Sequence, residues 1–218
     1  MPKNIKVCLF FIFAMMLTGC ASTEIKQPEN ETKIETHKQT TIQNSKLTIE
    51  PYNISEKESM LISKTGVNQI EYYTLEGTLK EGEYIQFAVE VYENGKRKSE
   101  LLTTSDEMIP KYENSIVSFG ISNSTGEEDS LKLLTGTPSG LDTTDYPNNM
   151  TVSTFRKLIG EKVTLEKNKP IYLAAWAGTT KNGLSFGGNE NGELPTGIDE
   201  AETVLLYRVL WTDPIKNN

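Results

Sequence analysis

The sequence predicts an all-β fold: an antiparallel β-sandwich, or a barrel-like relative of it, with at most one short helix. Three observations point there. Short segments with a period of two recur along the chain, and turn residues interrupt them at frequent intervals. Asn94-Gly95 follows the clearest of these segments, and this dipeptide suits a tight hairpin because both turn positions favour φ > 0. Strand-like and helix-like segments do not alternate in the way that a parallel sheet requires.

The elements are expected in the following order. A short strand lies near 47–50 and another near 60–65. Ile70 to Leu79 aligns Tyr73, Leu75 and Leu79. Glu83 to Glu93 puts Ile85, Phe87, Val89 and Val91 on one face, with Gln86, Ala88, Glu90 and Tyr92 on the other, so one side is buried. Leu101 to Thr104 is the return strand. Ser115 to Ser122 groups Val117, Phe119 and Ile121, and a short strand is expected near 130–134. Ser153 to Ile159 reads as one or two helical turns: Phe155, Leu158 and Ile159 share a helical face, Ser153 caps the start and Gly160 ends it. A short strand near 162–166 and a turn at Asn168-Lys169-Pro170 follow. Ile171 to Ala177 is apolar on both faces and belongs at a sheet centre, with Trp176 inside. Thr203 to Thr212 aligns Leu205, Tyr207, Val209 and Trp211. The sandwich domain is thus placed at 47–214.

The start of the chain has a different character. Lys3 and Lys6 precede an apolar run from Val7 to Leu17. A bilayer span needs about 20 apolar residues, so this run is too short to be one, and it has the size and flanks of an export signal. The run ends in Leu17-Thr18-Gly19-Cys20, followed by Ala21-Ser22. This closely resembles the lipobox of bacterial lipoproteins, in which small residues before the Cys admit the extended backbone to a peptidase. The resemblance covers residues 1–20. It implies removal of a signal peptide, 1–19, and a diacylglyceryl group on the Cys20 thiol. It further implies a protein held on the outer, extracytoplasmic face of the cell membrane. Two acyl chains supply the two lipid signals that stable anchoring needs.

Cleavage before Cys20 removes Lys3, Lys6 and Cys8, leaving 20 basic and 30 acidic residues and a side-chain charge of −10. With Cys20 taken up by lipid, the mature chain holds no free Cys and no disulfide. Residues 20–46 form the lipid-bearing Cys and a polar tether, with no aromatic residue and only scattered Ile. Four Glu there balance four Lys, so the acidity belongs to the domain: 16 basic against 26 acidic residues from Leu47 onward. A segment of this composition cannot offset its ordering entropy by burial and is expected to be flexible. Nucleic acid is not an expected partner, because the densest basic run, Lys96-Arg97-Lys98, is short and sits beside a turn. Membrane contact is expected through the lipid anchor alone.

Histidine occurs once, as His37 in the tether. A Ser-His-Asp triad, a Cys-His pair and a His/Cys zinc site are therefore excluded from the folded domain. Carboxylates remain: Glu127-Glu128-Asp129, Asp142 with Asp145, and Asp199-Glu200 with Glu202, all expected near loops. Such oxygen ligands suit calcium. Asn189-Glu190-Asn191-Gly192-Glu193 faintly resembles a calcium loop, although Gly187 stands where its first Asp would be and Ile198 where its closing Glu would be. No cofactor is expected, calcium being the one ion this pattern leaves open. Trp176 and Trp211 are expected in the core, and Tyr72, Tyr92 and Tyr112 nearer the surface, where they could stack on a ligand.

Gly183 to Gly197 is rich in Gly and is expected as a long mobile loop at one end of the sandwich, where binding residues are often carried. The candidate binding surface is Asn189, Asn191 and Glu193 with Asp199 and Glu200, extended by 142–149. The functional expectation is a membrane-anchored extracytoplasmic lipoprotein whose sandwich is a non-catalytic binding or interaction module for a ligand or partner at the cell surface. The alternative is a carboxylate-dependent hydrolase of surface polysaccharide, which would need two acidic side chains facing one cleft.

Overall fold

The chain is described by a computed structural model over residues 46–106, 109–123, 129–188 and 190–213. Along it run β1 (Lys46–Pro51), α1 (Glu56–Ile62), β2 (Gln69–Thr78), β3 (Tyr84–Glu93), β4 (Lys96–Asp106) and β5 (Lys111–Asn123). There follow β6 (Ser130–Thr137), β7 (Gly140–Pro147), β8 (Val152–Lys157), β9 (Val163–Thr164), β10 (Ile171–Thr179) and β11 (Thr203–Thr212). They build two antiparallel sheets, one in the order β7-β6-β5-β2-β1-β9 and the other in the order β4-β3-β11-β10-β8. The sheets remain separate and pack face to face as a sandwich, not a closed barrel.

Alternation along each strand decides what enters the core. Leu47 and Ile49 of β1, Tyr73 and Leu75 of β2, and Val117, Phe119 and Ile121 of β5 point inward from the six-stranded sheet. Ile85, Phe87, Val89 and Val91 of β3 meet them from the other sheet, together with Leu205, Tyr207 and Val209 of β11. A row of aromatic rings crosses the interior: Phe155 to Phe119 at 5.8 Å, Phe119 to Tyr207 at 5.2 Å, and Tyr207 to Phe87 at 6.4 Å between centroids. The buried Tyr73 hydroxyl donates across the gap to the Leu173 carbonyl at 2.5 Å and so ties the two sheets together. Trp176 and Trp211 lie in this core as expected.

The β3–β4 hairpin turns at Asn94-Gly95, whose φ values of 49° and 76° are the positive angles that this dipeptide tolerates. In β4 the register shifts opposite Ala88, where Leu102 takes φ 49°. The resulting bulge and the Lys96–Lys98 charges blunt this edge against pairing with other chains. At the same side of the sandwich, Thr104 Oγ1 donates to Asp142 Oδ2 at 2.7 Å, joining β4 to β7.

Three elements differ from the sequence expectation. The strand expected at 60–65 is α1, which begins earlier and ends at Ile62. The helical turns expected over 153–159 are instead β8, paired with β10 from Val152 to Lys157. Its apolar spacing reads as helical only because Leu158 and Ile159 lie beyond the strand end. The acidic pair Asp142 and Asp145, expected near loops, lies on β7, which the sequence reading did not assign.

The segment from Gly183 to Ala201 does not project from an end of the sandwich. It lies across the outer face of the five-stranded sheet, where Phe186, Ile198 and Ala201 form a second core with Tyr172, Ala175, Ala177, Val204 and Leu206. That cover explains why β10 is buried at every position: its outward side chains have a layer of their own.

Candidate functional site at the helical strap

Among the described residues, exposed apolar side chains cluster around α1: Ile54, Met60, Leu61 and Ile116. Ser55 starts the helix. Its Oγ accepts from Glu58 N at 3.3 Å, and its own N–H donates to Glu58 Oε2 at 2.8 Å, a reciprocal capping box. Tyr52 Oη donates to the other carboxylate oxygen at 2.7 Å. These donors, the Ser55 hydroxyl first, lower the Glu58 pKa to about 2, since each of them favours the charged form. The helix stops after two turns because Ser63 and Thr65 hydroxyls bond back to the Met60 and Ile62 carbonyls, both at 2.7 Å. None of its side chains is buried.

This strap divides two hollows that share Ile54 and Ile62. One is an apolar groove of about 270 Å³, lined by Tyr52, Ile54, Leu61, Ile62, Tyr72 and Ile116 with Glu58 at its rim. The other is a cleft of about 480 Å³ between α1, the start of β2 and β8. Ile54, Ile62, Val67, Ile70 and Phe155 form its apolar walls, while Ser59, Ser63, Asn68, Gln69 and Glu71 supply polar groups. Ile70 can lie flat there because its cross-strand partner is Gly120; a Cβ at 120 would come within 3.1 Å of the Ile70 side chain. Phe155 connects this cleft to the aromatic row of the core.

The residues singled out in the sequence fall elsewhere. Cys20, His37, Glu127, Glu128 and Asn189 lie outside the described residues. Asn191 and Glu193 are exposed near the start of β10, where Gly192 accepts from Tyr172 N and donates to the Leu158 carbonyl. Asp199 and Glu200 are exposed beside the β3–β4 turn, with Asp199 packed against Gly95. The two groups are therefore separated by most of β10, roughly 20 Å at about 3.3 Å per residue. Asp142 is bound to Thr104 and Asp145 to Lys132. Glu202 accepts from the Thr180 hydroxyl and N–H and from the Thr179 hydroxyl, and these bonds, the Thr180 hydroxyl first, lower its pKa. Among the described residues, no group of three or more His, Cys, Asp or Glu gathers to hold a metal ion. Of the tyrosines expected near the surface, Tyr72 and Tyr92 are half-buried, and Tyr112 lies in the core at 2 % exposure.

A buried ionic network went unread in the sequence. On the outer face of the five-stranded sheet, Glu90 Oε2 accepts from Tyr92 at 3.0 Å and from Tyr172 at 3.2 Å. Its Oε1 lies 3.1 Å from Arg208 Nε, at ion-pair distance but without hydrogen-bond alignment, and 3.4 Å from Arg97. Arg208 also reaches Glu100 at 2.9 Å and Gln86 at 2.6 Å, and Arg97 pairs with Glu100. Burial, followed by the Glu90 charge, pushes the Tyr172 hydroxyl far above the ordinary tyrosine range. Two guanidinium groups thus balance two carboxylates.

By fold the chain is a two-sheet antiparallel β-sandwich carrying a capped helical strap over one sheet. Residues 48–210 match the YgaN domain family, and the chain belongs to that family. No curated protein and no solved structure matches it.

Proposed function

We propose that this YgaN domain is the folded part of a membrane-anchored extracytoplasmic lipoprotein and that it serves as a non-catalytic binding module, with the α1 surface as its contact face. The observation that carries the reading is the distribution of exposed apolar side chains. Of the six large ones among the described residues, Ile54, Leu61 and Ile116 line one groove, and Met60 stands next to Leu61 on the helix. Contiguous apolar patches of this kind mark interaction sites more often than scattered single residues do. Leu141 and Leu194 are such scattered residues. The partners that hold Asp142, Asp145 and Glu202 support binding over hydrolysis, which needs two carboxylates facing one cleft.

The anchor is tested at Cys20. Wild-type protein grown with a radioactive fatty acid is expected to carry label and sediment with membranes, while Cys20→Ser is unlabelled and released or unprocessed. Equal labelling of the two would end the lipoprotein reading.

A further inference from the structure

Glu71 stands in an unusual position for a carboxylate. It shares inward parity with Tyr73 and Leu75 on β2, at the strand end where the sandwich opens into the 480 Å³ cleft. It is half-buried, and among the described residues no hydrogen-bond donor or ion-pair partner reaches it. Lys157 acts on it only through its field, while burial raises its pKa. A desolvated charge without a partner is costly, and such groups are usually paired. Here the open side of the carboxylate faces a hollow of ligand size, with Phe155, Ile70 and Val67 as apolar walls and Ser59, Ser63, Asn68 and Gln69 around it.

We propose that this cleft binds a small organic cation, an ammonium or guanidinium group on an apolar stem, with Glu71 as its counter-charge. The inference rests on the binding-module reading and gives that face a ligand class. The cationic head replaces the partner that Glu71 lacks, and the stem lies against Phe155 and Ile70. Lys157 is the competing positive charge. The domain's excess of acidic residues attracts any cation at long range, so the local site must be separated from that background.

Phenethylamine is a suitable probe, with the neutral 2-phenylethanol as its match in shape, each titrated into the full-length protein while amide NMR shifts are followed. Phenethylamine is expected to move resonances of 67–71 and 153–157 and to bind at least tenfold more tightly than the alcohol. Glu71→Gln should weaken the amine at least tenfold and leave the alcohol unchanged, although it alters only one of the domain's many charges. Lys157→Gln should tighten the amine. Glu71→Gln should also melt no lower than wild type, because it removes an unpaired buried charge. Equal binding of amine and alcohol, or an amine affinity indifferent to Glu71→Gln, overturns the cation assignment while leaving a binding cleft in place. Shifts confined to other regions, or none, overturn the cleft itself; the contact face at Leu61 is then judged by its own cross-linking measurement.

Discussion

Arg208 shows how a single residue can hold a face of this sandwich together. Its guanidinium is 6 % exposed and lies between Glu90, Glu100 and Gln86. Removing one member of a buried pair strands the other charge and costs about 3–5 kcal/mol, whereas replacing both with apolar groups is often near neutral. Arg208→Met is therefore expected to lower the unfolding free energy in urea by about 3 kcal/mol or more, and Arg208→Met with Glu90→Leu to recover most of that loss. A double variant no better than the single one would show that the network does not act as a unit. The sequence hid this network for a plain reason. Glu90 falls on the outward face of β3, and an outward position on a strand ordinarily reads as solvated. Tyr172 of β10 and Arg208 of β11 close over it, and neither contact is local in sequence. Glu71 did leave a signal, since it occupies the inward register of Tyr73 and Leu75, where a charge is out of place.

At the scale of elements, α1 depends on its cap more than on packing, since none of its side chains is buried. Glu58 titrates at about 2 in the fold against an ordinary 4.5. A depressed carboxylate pKa means that its contribution is complete at neutral pH and is lost as pH falls from 4.5 through about 2. Amide shifts of residues 55–62 are expected to report fraying of the helix in that window while the strands keep their dispersion. Glu58→Ala, which removes the side-chain acceptor altogether, should be frayed already at neutral pH. A midpoint at the ordinary value would mean that the capping box does not hold in solution. The helix was legible in principle, because Ser55 and Glu58 stand at capping-box spacing. Three apolar residues, Met60 to Ile62, are too few to distinguish a helix from a strand by period. The reverse error produced the helical reading of β8. The strand β7 carries almost no apolar pattern, and its pairing with β6 alone makes it a strand. By contrast, β3, β5 and β11 were legible because each holds several inward side chains in alternation, β10 because its run is apolar on both faces, and Asn94-Gly95 because its geometry is local.

For the whole molecule, the sequence made the sandwich legible and left the proposed contact face unread. The groove and the cleft arise where Ile54, Ile62, Ile70, Ile116 and Phe155 meet, residues brought together by strand order and not by spacing. The loop candidates failed to converge for the same reason: Asn191 with Glu193 and Asp199 with Glu200 sit at different ends of β10. In the proposed arrangement the acyl chains hold the protein at the membrane, the acidic domain gains nothing from anionic lipid, and the apolar strap is left to meet a ligand or partner. The measurement that tests this most directly is photo-cross-linking in intact cells. A photoreactive phenylalanine analogue would replace Leu61, 62 % exposed on α1, or Leu194, 50 % exposed on the cover segment. The account predicts a discrete adduct from position 61 and none from position 194, with both proteins melting like wild type. Silence at 61, or the same adducts from both positions, would contradict the assignment of the α1 surface as the contact face.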